Sequence, residues 1–140
     1  MFTKQNLLAT LAGFGTMFLL GWGIWGFATV DFFEGHTLNN FAKNPPDALF
    51  IALANIIAAF ALSSIYGKWA RGVHSAKEGL QFGALIGIFT GLGMGLLTYA
   101  TMAWMDLTAH IAEAVIEVIY YGIVGAVIAI AYKASATKNS

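Results

Sequence analysis

Four long apolar stretches divide the chain, at 7–30, 48–67, 79–104 and 111–132. A helix that crosses a hydrocarbon core of about 30 Å needs about 20 residues, and each stretch supplies them. Membrane-spanning strands would need about half that length with strict alternation, and the runs show neither feature. The pattern predicts an all-α, polytopic membrane protein in a single domain, 1–140. Its helices are expected at about 7–30, 48–67, 79–104 and 109–132, with an outer loop at 31–47 and an inner loop at 68–78. Only Asp106, Leu107 and Thr108 separate the third and fourth runs. So short a connection implies an antiparallel hairpin, with Asp106 or Thr108 capping the new helix. The first two helices are expected to make the other hairpin. Before the second helix, Asn44-Pro45-Pro46-Asp47 combines prolines at a helix start with an acid for its first turn. A basic residue ahead of the first run suggests a signal peptide, but the run is too long and no small-residue cleavage site closes it. It is read as a retained helix.

Composition agrees with the pattern. The chain is 59% hydrophobic and 10% charged, more apolar surface than a soluble domain of 140 residues can hide. Cysteine is absent, which removes disulfides, thiolate metal sites and cysteine nucleophiles. The distribution of charge says more than its sum. Lys4, Lys68, Arg71, Lys77, Lys133 and Lys138 fall on one side of the four spans and only Lys43 on the other, so the positive-inside rule puts both termini in the cytoplasm. Asp31, Glu34, Asp47 and Asp106 fall on the outer side. Tyr66, Trp69 and Tyr132 are expected at the inner interface, Tyr99 and Trp104 at the outer one. Phe32, Phe33, Leu38 and Phe41 are expected to hold the outer loop on the membrane surface.

The most regular pattern is a glycine at every fourth position of the third helix: Gly79, Gly83, Gly87, Gly91 and Gly95. In lipid the hydrophobic drive between helices is weak, and small residues bring backbones close enough for van der Waals packing. Such a ridge serves packing within the bundle or an interface with another chain. On a straight helix the stripe advances by about 40° per step, enough over five glycines to touch two neighbours. The first helix offers Ala9, Gly13 and Gly21 as partners, and the fourth Gly122, Gly125, Ala126 and Ala129. Gly13, Thr16, Gly21 and Trp25 also align with Gly87, Thr90, Gly95 and Tyr99, which suggests two parallel helical hairpins as an internal repeat.

Polar residues within the spans are the candidates for chemistry. His110, Glu113 and Glu117 follow at spacings of three and four, so they share one face of the fourth helix. Counting along that helix at about 1.5 Å per residue puts Glu113 at the outer boundary and Glu117 one turn inside. Asn55 on the second helix reaches deeper still. An intramembrane carboxylate is costly unless paired, protonated or facing water, and no Lys or Arg lies at that depth. Three readings follow: a proton or cation relay through Glu113 and Glu117 with His110 at its mouth and Asn55 as a further candidate of the same site, a metal site recruiting Asp31, Glu34 or His36, or a polar cluster that bonds helix to helix. His110 and Glu113 alone are a weak metal signal. Asn55 is expected to join helices, His36 and His74 to be solvated in loops, and Trp22 and Trp25 to pack or face lipid. The glycines lie inside a membrane helix without a Gly-Lys-Ser or Gly-Lys-Thr ending, so they are no phosphate loop. No nucleophile stands with a base and an orienting partner, so no enzyme is expected.

The segments Phe-Leu-Leu-Gly-Trp-Gly-Ile-Trp-Gly at 18–26, Ile-Tyr-Gly-Lys-Trp-Ala at 65–70 and Met-Asp-Leu-Thr at 105–108 resemble those of small, uncharacterised bacterial four-helix membrane proteins. The resemblance implies a bacterial cytoplasmic membrane and supplies no activity, cofactor or ligand. The leading expectation is a noncatalytic accessory subunit or self-associating bundle whose partners are lipid and, through the third helix, itself or other membrane subunits. No nucleic acid partner is expected. The alternative is a small proton-coupled or cation transporter using Glu113 and Glu117.

Overall fold

The computed structural model describes residues 2–137; Lys138, counted above among the cytoplasmic cations, lies outside them. Helix α1 (Lys4–Gly23) runs through a π-helical segment, π1 (Ile24–Ala28), and then a short α2 (Val30–Gly35). Helix α3 is Ala48–Trp69. The third rod is composite: α4 (Ala76–Gly87), a second π-helical segment π2 (Ile88–Met94), and α5 (Gly95–Thr101). Helix α6 is Leu107–Thr137. Four rods are therefore long and apolar enough to cross a membrane, Lys4–Ala28, Ala48–Trp69, Ala76–Thr101 and Leu107–Ala136.

Side-chain caps set the starts. Thr3, Asp47, Ser75 and Asp106 each accept a bond from the backbone N-H three residues ahead, that of Asn6, Phe50, Glu78 and Ala109 respectively. These caps satisfy N-H groups that have no partner within the helix. Asp47 is thus the cap itself, and the two prolines precede the helix. At the far end of α3, Arg71 and Gly72 take positive φ of 48° and 86° and break the helical path.

Helix α6 is central, packed by α4 and π2 on one side and by α1 on another, while α1 also carries α3. Helix α3 approaches α4 and α6 near the 70–75 turn, where the Tyr66 ring lies 5.5 Å from those of both Phe82 and Tyr132. Tyr66 and Tyr132 were expected at the lipid interface. They are instead 0% and 6% exposed, because α3, α4 and α6 converge over them. Trp69, Tyr99 and Trp104 remain exposed. Val124 and Ile128 are fully buried at mid-bundle, with Ile128 against Gly13.

The glycine positions explain how closely the third rod lies on α6. A Cβ added at Gly79 would run into the Gly125 carbonyl, one at Gly83 into Tyr121, and one at Gly87 into Glu117 O and Val118 Cα, both at 2.5 Å. At Gly91 it would stand 2.8 Å from Ala114 Cα. These four glycines face a single neighbour, whereas Gly95 meets nothing within 4 Å. The expected drift of the stripe onto a second neighbour is therefore not seen. The physical reason is π2: its i to i+5 bonding winds more slowly than an α-helix and offsets the advance of a four-residue repeat. Thr90 Oγ1 donates to Ile86 O at 3.1 Å, engaging backbone at the entry to this segment.

Candidate functional site

The N-terminal half of α6 carries the buried polar groups that the sequence singled out. His110 is 4% exposed, its Nε2 buried without a hydrogen bond, and its ring lies 5.6 Å from that of Tyr99 on α5. One turn further, Glu113 Oε2 accepts a 2.9 Å bond from Trp25 Nε1. That bond depends on π1, whose wide turn is closed by the Thr29 N-H and hydroxyl, both donating to Ile24 O at 2.9 and 2.8 Å. The Trp25 ring stands edge-on to Tyr120 at 4.9 Å, and the Tyr120 hydroxyl donates to Met17 O at 3.0 Å. Trp25 is therefore a partner of the site, while Trp22 is 72% exposed.

Glu117 follows one turn deeper, under π2. An added Cβ at Gly91 would lie 3.0 Å from Glu117 Cβ, so the absence of a side chain at Gly91 lets the rod settle over this residue. Glu117 Oε2 is buried and has no hydrogen-bond partner. The two π segments thus flank one face of α6, with Trp25 reaching Glu113 from π1 and Gly91 covering Glu117 from π2. Among the described residues, no three His, Asp or Glu side chains lie close enough together to hold a metal ion. Asn55 Nδ2 donates to Ile51 O in its own helix at 3.0 Å.

Two further polar arrangements were not foreseen. At the end where Lys4, Lys68 and Lys77 lie, Ser63 Oγ donates to Asn6 Oδ1 at 2.5 Å, and Asn6 Nδ2 donates to Ser64 Oγ at 3.0 Å. The Tyr132 hydroxyl lies 3.0 Å from both Asn6 Oδ1 and Ser63 O, which share its proton. Here His74 is not a solvated loop residue: its ring stacks on Tyr132 at 4.9 Å, and burial lowers its pKa below the usual histidine value. At the opposite end His36 is also engaged, with Nδ1 2.6 Å from Asp106 Oδ2. This hydrogen bond, followed by the Ala109 N-H, holds the Asp106 carboxyl below its ordinary pKa. The backbone joins the same clasp, as Leu38 N donates to Trp104 O at 2.7 Å and Asp106 N to His36 O at 3.1 Å.

No family model, curated protein or solved structure matches the chain.

Of the residues the sequence proposed, His110, Glu113 and Glu117 share one face, four of the five ladder glycines press on α6, and Asn55 bonds the backbone of its own helix. A signal for the network around Asn6 was available. Asn6, Ser63 and Ser64 are polar interruptions within a few residues of lysines at the same end of their spans.

Proposed function

We propose that this chain is a noncatalytic protein of a bacterial cytoplasmic membrane, with its four spans in two hairpins and both termini cytoplasmic, and that it passes a proton or small cation through the outer-half cluster of α6. The observation that carries this reading is the buried, unpartnered Glu117 oxygen one turn from a glutamate already bonded to Trp25. A carboxyl oxygen held out of water without a partner on a membrane-spanning helix is costly, and such a residue points to a role in conduction or exchange. The basic end, with Lys4, Lys68, Arg71, Lys77 and Lys133, supports the cytoplasmic assignment of the termini. Reconstitution in proteoliposomes under separate proton, sodium and potassium gradients tests the function. Flux that disappears in Glu117→Gln is expected, and wild-type vesicles silent to all three gradients would overturn the reading.

The accessory-subunit reading retains one specific support. Gly15 and Gly23 on α1 and Gly95 on α5 meet nothing within 4 Å, so they are open to close approach by another membrane helix. The four glycines packed on α6 are not available for that purpose. Gly15→Leu should shift the native mass if another chain docks there; an unchanged mass and partner content would count against it.

A further inference from the structure

We propose that the exchangeable ligand of the outer-half site is a proton borne by the Glu117 carboxyl, with Glu113 as a fixed positioning residue and His110 as the link toward the outer face. The inference rests on the ion-handling reading above and gives it a chemical identity.

The two glutamates are neighbours on one helix face, yet their surroundings differ. Glu113 is tied to another element by the 2.9 Å bond from Trp25, whereas Glu117 Oε2 is enclosed and bonded to nothing. A metal cation needs a shell of oxygen or nitrogen ligands, and no three His, Asp or Glu among the described residues gather to supply one. A proton needs one oxygen. No lysine or arginine reaches this place within the spans to compensate a carboxylate ion: Lys4, Lys68, Arg71, Lys77 and Lys133 belong to the opposite end, and Lys43, at the same end, is an exposed residue of the 36–47 loop. The titratable groups around it are Glu113, His110, Tyr120 and Tyr121 on α6 and Tyr99 on α5; π1 presents Trp25, and π2 presents Gly91.

His110 supplies an independent indication. It is 4% exposed on the same face, and its Nε2 is buried without a bond, an unusual state for an imidazole nitrogen. Glu117 follows it by seven positions, about 10 Å along the axis, too far for direct transfer, so the proposed step is relayed by water. A hydronium ion from the outer side gives its proton to the Nε2 lone pair. Nε2-H then donates through water to the Glu117 carboxylate, forming the carboxyl O-H bond and restoring neutral imidazole. Release runs in reverse, and no other reactant takes part.

Dicyclohexylcarbodiimide, an apolar reagent that adds to protonated carboxyls within membranes, tests this on the full-length wild-type protein in native membranes. Intact-mass analysis and peptide mapping should find one adduct, on Glu117, declining as pH rises. The adduct should be lost in Glu117→Gln and retained on Glu117 in Glu113→Gln. Trp25→Phe should shift the pH midpoint of labelling without abolishing it, the signature of a positioning contact. Absence of an adduct, an adduct on Glu113 alone, or protection of Glu117 by sodium, potassium or calcium at constant pH would overturn the proposal. Labelling of Glu117 without flux would uphold the proton site and refute transport. Proton flux that survives in folded Glu117→Gln would uphold transport and refute the assignment of the site. Mapping the wild type needs no variant, so a misfolded substitution leaves the test intact.

Discussion

Replacing Gly83 by Ala should loosen the whole third rod. The added Cβ would run into the Tyr121 carbonyl, standing 2.5 Å from its carbon and 2.9 Å from Gly122 Cα. These are backbone atoms in a helix and cannot rotate away. Restoring the roughly 3.5 Å that non-bonded carbons prefer requires the two backbones to part by about 1 Å. Overpacking of this kind costs about 1–3 kcal/mol, and a rigid obstacle puts it near the upper value. Ala gains about 1 kcal/mol over Gly in helix propensity, leaving a net loss of about 2 kcal/mol. For a chain of this size that corresponds to a fall of about 4–8 °C in Tm. Gly95→Ala is the internal control, because nothing lies within 4 Å of its new methyl and the substitution should be neutral or stabilising. Thermal unfolding in one detergent, followed by circular dichroism, compares the pair. A Gly83→Ala protein as stable as the wild type, or the two variants shifting together, would refute the assignment of the ladder to α6.

Tyr132→Phe removes the hydroxyl shared by Asn6 Oδ1 and Ser63 O, and should lower stability by about 0.5–1.5 kcal/mol in the same melts; an unchanged Tm would show that the network around Asn6 carries no net energy. The His36–Asp106 clasp should weaken in acid. The Asp106 pKa is depressed in the folded state, so its stabilisation is full above the ordinary carboxyl value of about 3.9 and is lost as pH falls through the lower folded value. Hydrogen exchange at the Leu38 and Asp106 amides should accelerate in that acid range, and Asp106→Asn should remove the acid dependence.

The span count was legible because length and apolar content are sufficient signals, and the cap at Asp106 was readable from residue type, with Thr108 the alternative, whereas Asp47 reads from sequence as a first-turn acid and proves to be the cap. The partner of the glycine ladder was not. A repeat of four defines a small face but not the neighbour against it, and its drift depends on a hydrogen-bond register that composition does not encode. The two π segments are such features: π2 holds Gly91 on the same neighbour as Gly79, Gly83 and Gly87, and π1 lies where Trp25 meets Glu113. The cluster around Asn6 joins Ser63 and Tyr132, which are 57 and 126 positions from it, so only folding shows them together. His36 and Asp106 are 70 positions apart and meet for the same reason.

The two seams of α6 differ in how they can move, and this bears on how the Glu117 end of the bundle communicates with the Tyr132 end. Tyr132 follows Glu117 by fifteen positions, about 22 Å of helix, and the middle of that stretch is filled by the fully buried Val124 and Ile128. On the proposed reading, a proton taken up at Glu117 needs a helix displacement to go further. The α4–α6 seam is backbone against backbone at Gly79, Gly83 and Gly87 and has no slack. The α1–α6 seam is made by side chains, with Ile128 on Gly13, the Tyr120 hydroxyl on Met17 O and Trp25 on Glu113, and these can repack by changing rotamers. Motion should therefore occur between α1 and α6. The chain has no native cysteine, so engineered pairs report cleanly. A Gly13→Cys, Ile128→Cys pair should lose flux on oxidation and regain it on reduction, whereas a Leu80→Cys, Gly122→Cys pair across the α4 seam should conduct in both states. Flux that survives the first lock and stops with the second would place the moving seam on the other side of α6.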